Sequence, residues 1–314
     1  MSQSPELAGG EGFTYEGDVA AFYLTALLAE AYAPGIDDRI VFRVSVQQRD
    51  FGEPLDDVIV DFENAAKNPA RLSLQVKRSL TISSAITNTD FRDIIRDSWN
   101  TLQKPSFRVN IDRYGAAVGT ISSAKQRALR TLCNWARESL TTEHFDARFA
   151  PDGSAGIEIK GVKADVLSLL ENVKGNDCSN EEQHRFLSHF VLIQFDFISE
   201  GATAPSEAIN RIKNCLAPID AIKAPLVWSR IVQLARESAG KSGQFDRARL
   251  VRFISTLARL AGSSSFIPLF DKLAVNLLHF RGQGKKSYLP SKGDMRHDRE
   301  RQQEPQEVQQ RVQD

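Results

Sequence analysis

An acid, an amide and an amine stand along two short stretches of this chain in an order that suits cation-assisted hydrolysis. Asp57 precedes the apolar run Val58-Ile59-Val60, and Gln75 and Lys77 lie two residues apart in Leu74-Gln75-Val76-Lys77. In an extended strand residues two apart share a face, so Gln75 and Lys77 point the same way. If the two stretches pair as neighbouring strands, all three side chains meet at one edge of a sheet, and Glu16 on a preceding helix can reach the same place. Phosphodiester hydrolysis calls for a hard cation that neutralises charge and activates or positions water, and such cations take oxygen ligands. Asp57 and Glu16 would supply carboxylate oxygens and Gln75 an amide oxygen to Mg²⁺ or Mn²⁺. Lys77 would orient or polarise the attacking water and stabilise the developing negative charge.

Each of these residues also has a plain reading. Asp56 and Asp57 follow Pro54 and can be a solvated acidic pair beside a turn, with Asp56 the one expected to face away or cap it. Gln75 and Lys77 can be the exposed face of an edge strand, where Lys discourages aggregation. Glu16 can be a first-turn acid favoured by the helix dipole. Asp61 shares a face with Asp57 but lies farther along the strand, and is left out of the site. Arg78 can contact a phosphate or be solvated.

The elements that must position these groups are legible from periodicity. Val19, Phe22, Tyr23, Ala26 and Leu27 recur at helical spacing in a helix from Tyr15 to Tyr32, ended by Pro34-Gly35. Strands are expected over 40–46, 55–62 and 71–78, with a turn at 50–54 between the first two. A helix over 89–103, with Asn88 or Thr89 as cap, carries the apolar stripe Phe91, Ile94, Ile95, Trp99 and Leu102. A strand over 114–121 and a helix over 123–140 complete an α/β unit. Beyond it, helices are expected over 163–173 and 206–216 and a strand over 190–198. After Pro218 the spacing predicts helices over 222–239, 246–261 and 266–280 and no strand. The division is a flexible leader 1–12, an α/β domain 13–216, a helical region 217–281 and a disordered polar tail 282–314.

The 314 residues hold 40 Lys plus Arg against 40 Asp plus Glu, so no global basic field announces a nucleic-acid binder. Any anionic ligand must be held by a local patch. Lys125, Arg127 and Arg130 on one helix, with Arg137 farther along, can contact phosphate, although a solvated helix face is the plainer reading. Trp99, Trp135 and Trp228 read as core, and His184 and His189 as structural. Cys133, Cys178 and Cys215 form no CxxC pair, which argues against a disulfide framework or a zinc site and for reduced thiols in the cytoplasm. No apolar run is long enough to cross a bilayer.

Leu55-Asp56-Asp57-Val58-Ile59-Val60 followed by Leu74-Gln75-Val76-Lys77-Arg78-Ser79 resembles the D…QxK form of the PD-(D/E)xK nuclease superfamily, the form of Mrr-like restriction endonucleases. Gly12-Phe13-Thr14-Tyr15-Glu16 running into an Ala-rich helix, with Trp99 on the helix after the QxK strand, resembles the double-stranded-DNA endonuclease domains of prokaryotic anti-phage effectors. The resemblance covers residues 10 to 200. It implies a restriction-endonuclease-like mixed sheet flanked by helices and a Mg²⁺-dependent endodeoxyribonuclease in antiviral defence. It further implies double-stranded DNA as partner, a separate sensor or NTPase protein, and a homo-oligomer. Gln75 stands where the superfamily commonly has an acid, which leaves one less negative charge for metal. The alternative expectation is a non-catalytic adaptor that keeps the fold and binds a partner through its C-terminal helices.

Overall fold

The computed structural model describes residues 5–216 and 218–260. The chain divides into two units, Met1–Phe270 and Asp271–Asp314, and everything described belongs to the first. The helix expected over 266–280 and the polar tail from 282 lie outside the described residues.

The described part is of the expected α/β class. A six-stranded mixed sheet has the order β5-β4-β3-β2-β1-β6. It is built from β1 (Ile40–Val46), β2 (Val58–Glu63), β3 (Pro69–Leu80), β4 (Arg113–Ile121), β5 (Phe190–Gln194) and β6 (Gln244–Asp246). β1, β2 and β3 form an antiparallel meander, whereas β3, β4 and β5 run parallel. Six consecutive residues of β4, Tyr114 to Gly119, are buried, the continuous pattern of a strand covered on both faces.

The helices sort into two groups. α1 (Pro5–Ala29), α7 (Thr203–Cys215) and α8 (Ala224–Ala239) pack on one another, with α1 laid across β1, β2 and β3. A second cluster joins α2 (Thr89–Leu102), α3 (Ser123–Glu138), α5 (Ile157–Lys174) and α6 (Asn180–His189) to β4 and β5. Phe91, Ile94, Tyr114, Leu132, Phe145 and Phe186 lie at its centre. The short α4 (Thr142–Ala147) contributes Phe145, and α9 (Arg247–Leu260) ends the described chain.

Several boundaries differ from the sequence expectations, for local reasons. α1 begins at Pro5, so the backbone of the expected leader is helical from there on. β2 begins at Val58 rather than Leu55, because Gln47 opposite its start takes a left-handed conformation, φ +50°. β5 ends at Gln194 rather than Ile198, since the Asp196 carboxylate accepts from the backbone N–H groups of Ile198 and Ser199 and turns the chain. The expectation of no strand after Pro218 is corrected by β6. Its three residues pair antiparallel with β1 through Val44 and Phe245, too short a run for alternation to show. α6 carries a capping box, Ser179 with Glu182, a signal that was present in the sequence.

Two glycines separate close packing from open space. A Cβ on Gly115, φ +154°, would lie 1.9 Å from the backbone oxygen of Val191, where β4 meets β5. Gly161, inside α5, has nothing near it. Gly115→Ala is therefore expected to lower unfolding free energy by about 3 kcal/mol. Gly161→Ala should raise it by about 0.5–1 kcal/mol. Urea denaturation of the two variants checks both; an unchanged midpoint for Gly115→Ala would contradict the close approach.

Candidate functional site

Continuing the β2–β3 register backwards builds the site. Val58 is opposite Leu74, so the next residue out, Asp57, falls opposite Gln75. Asp57 is 6% exposed. One carboxylate oxygen accepts the backbone N–H of Val76 at 2.8 Å and the amide of Gln75. The other accepts the amide of Gln47 at 3.2 Å, and the same nitrogen donates to Glu16 at 3.0 Å. A single amide thus spans both carboxylates, and Glu16, Asp57 and Gln75 are brought into one cluster. Gln75 and Lys77 are half-buried between the buried Leu74, Val76 and Leu80.

Three contacts set Glu16 in place from α1. The Tyr15 hydroxyl donates to the Phe195 carbonyl at 3.0 Å just past β5. Gly17 packs so closely on α8 that a Cβ there would come within 2.4 Å of Arg236 Cγ. Asp18 receives the Arg236 guanidinium at 2.8 Å. The residues on either side of Glu16 are therefore fixed, and its carboxylate is aimed at the start of β2.

The electrostatics follow from burial. Desolvation, reinforced by the charge of Asp57, pushes Glu16 up to about 8. Desolvation also dominates Asp57 and pushes it up to about 6, against the opposing Val76 N–H bond. Lys77 lowers both from where burial alone would hold them, so its ammonium is close enough to be felt at the centre. Its direct partner is Asp90, in the first turn of α2, at 3.0 Å. Gln75 Oε1 is buried and has no hydrogen-bond partner. Asp56, next to the site, is buried but paired with Arg49 at 2.7 Å, and Asp61 is paired with Arg43 and Arg71; neither joins the cluster. Sequence reasoning missed Gln47 and Asp90. Nothing in the sequence flags a left-handed Gln at a strand end, and Asp90 reads as an ordinary first-turn acid.

No group of three His, Cys, Asp or Glu side chains able to hold a metal occurs among the described residues. The donor set present is two carboxylates and one amide oxygen. No described helix is long and apolar enough to cross a membrane.

No family model matches the chain, and no curated protein matches it. Solved structures do. One is the Moraxella osloensis Cap4 SAVED/CARF-domain containing receptor, with TM-score 0.42, 18% identity, and coverage of 79% of this chain and 47% of that one. Another is the Acinetobacter baumannii Cap4 SAVED/CARF-domain containing receptor. With the cyclic trinucleotide 3'3'3'-cAAA it gives TM-score 0.43, 14% identity and coverage of 82% and 48%. With 2'3'3'-cAAA it gives 0.44, 14%, 82% and 46%. The chain thus spans about half the length of each. These findings correct the sequence-based resemblance. The structures it resembles are described as receptors, bound in two cases to a cyclic trinucleotide, and no family model supports a PD-(D/E)xK nuclease. The DNA-endonuclease function, its adaptor alternative, and the expected partners, double-stranded DNA first among them, are withdrawn with it. At TM-scores below 0.5 nothing passes from those receptors to this chain.

Both carboxylates bind protons more tightly folded than unfolded. Glu16 rises from 4.5 to about 8 and Asp57 from 3.8 to about 6. Between those limits the folded state holds the extra protons, so stability is fully present at the acid end and falls as pH rises toward 8. Denaturation midpoints in chelator are expected to decline from pH 5 to pH 8, and Glu16→Gln should flatten the decline. A slope unchanged in that variant would show that Glu16 is not the group held protonated.

Proposed function

We propose that this chain is a hydrolase whose centre works with a hard divalent cation, Mg²⁺ or Mn²⁺, held by Asp57, Glu16 and Gln75. The observation that carries the reading is Gln75 Oε1, a buried amide oxygen without a donor on a side chain already bonded to Asp57. A buried acceptor left unmatched is costly, and a cation is the partner that two neighbouring carboxylates would also favour. The donors are all oxygens, the set that suits Mg²⁺ and Mn²⁺ rather than zinc. A bound cation would supply a more acidic water and neutralise charge on the scissile group.

The remaining work falls to the chain's own residues. Glu16 and Asp57 would hold the ion through carboxylate oxygens, and any proton that burial keeps on them would be released on binding. Gln47 holds the two carboxylates a fixed distance apart through its single amide. Lys77, tethered by Asp90 and about one-third exposed, holds the water or stabilises negative charge on the substrate. Cytoplasmic residence fits the three free cysteines.

Calorimetric titration with Mn²⁺ tests the ion. Wild type is expected to bind, with affinity lowered at least about tenfold in Asp57→Asn and in Gln75→Leu, as loss of one charged or polar ligand would give. Turnover of an activated p-nitrophenyl phosphate ester tests the reaction. Lys77→Ala should keep the Mn²⁺ affinity and lose turnover. A folded wild type that binds no Mn²⁺ would remove the proposal, and so would turnover indifferent to Asp57→Asn.

A further inference from the structure

A groove of about 760 Å³ that shares no residue with the acidic centre runs beside β5, the strand at one edge of the sheet. Its floor includes Val191 and Ile193, and one wall is the face of α3 that carries Arg130, Asn134 and Arg137. Arg113 and Arg39 line it from the other side. Four guanidiniums therefore border one cavity, with Asp37 as the acid among them.

The company these arginines keep differs from that of several others near the sheet. Arg43, Arg49, Arg71, Arg96 and Arg108 each pair with a carboxylate. The groove arginines contact only neutral groups. Arg137 donates to the Phe190 carbonyl at 2.8 Å and to Asn134 Oδ1 at 2.6 Å. Arg113 donates to the Asp112 carbonyl at 3.0 Å and faces His189 Nδ1 at 3.2 Å. Arg39 donates to the Asn68 carbonyl at 2.6 Å. Arg130 is exposed. Burial first, and then the nearby charge of Arg137, lower Arg113 below its ordinary value, and Asp112 and Asp37 offset this only in part.

We infer that this groove is a binding site for a small phosphorylated ligand. The guanidiniums match phosphate in charge and in fork geometry. The volume lies in the range of small-molecule sites, and Val191 and Ile193 offer an apolar floor for the rest of the ligand. Neutral partners orient the Arg137 and Arg113 side chains without cancelling their charge, which leaves that charge for an incoming anion.

Titration with ATP in chelator, so that no cation mediates contact at the acidic centre, tests the inference, with adenosine as the uncharged comparison. ATP is expected to bind and adenosine not. Arg130→Ala and Arg137→Ala should each weaken ATP at least about tenfold, since both side chains are exposed and the fold tolerates their loss. Asp57→Asn should leave ATP binding unchanged. No ATP binding at low salt, equal binding of adenosine, or ATP affinity unaffected by both arginine variants would each overturn the site.

Discussion

The Asp57 carboxylate sits in a place that is costly for a charge, and its bonds determine much around it. Water reaches little of it, and three N–H donors, from Val76, Gln75 and Gln47, take its place. All three are neutral. They satisfy the oxygens without cancelling the charge, which is why burial still raises its pKa. The bond from Val76 also locks register. It extends the β2–β3 ladder by one step, and a slip of one residue would send Asp57 and Gln75 to opposite faces. The buried pairs Val58–Leu74 and Val60–Leu72 hold the same register from the apolar side. Core packing and the polar cluster thus enforce one alignment.

Glu16 comes from outside that ladder, so its position depends on α1. That helix is nearly all apolar from Val19 to Leu28 and lies buried between the sheet and α7 and α8. A helix so enclosed has little freedom to rotate, and the Tyr15 hydroxyl and the Asp18–Arg236 pair fix its entry. The strain in the site is placed at Gln47, whose left-handed backbone redirects the chain as β1 ends. That turn is what swings its amide between Glu16 and Asp57.

The sequence made the scaffold readable where burial imposes a period. β1, β3, β4 and α2 lie within a few residues of their expected spans, because β1 and β3 alternate, α2 has a helical stripe and β4 is a short, mostly small and apolar run bounded by polar residues. The meeting of Asp57 with Gln75, and their nearness to Lys77, were also legible, since strand pairing and two-residue spacing place them together. Gln47 was not, because a left-handed turn in a non-glycine residue arises from tertiary packing and leaves no mark in composition. β6 was hidden by its length. The family resemblance drew on the same residues as the geometric argument, but a few residues in order do not carry a substrate with them. The groove arginines were legible as a basic helix face; their lack of carboxylate partners needed the fold.

A chain with equal numbers of acidic and basic groups can still hold two fields of opposite sign, provided they are far enough apart. Here the sheet supplies the distance. β5 lies two strands from β3, about 10 Å at the usual spacing. Arg113 lies nearer in that direction, on β4 one strand from β3, but it is opposite Leu72, three residues before Gln75, or about 10 Å along the strand. The two offsets set Arg113 about 11 Å from Gln75 at the backbone, beyond the screening length of about 8 Å at physiological salt. The other arginines at this end of the sheet are matched acid to base, Arg43 and Arg71 with Asp61 and Glu53 and Arg108 with Asp112, and add little net field. An acidic centre that attracts cations and a basic groove that attracts anions can therefore share one small sheet, each keeping the potential its own side chains create.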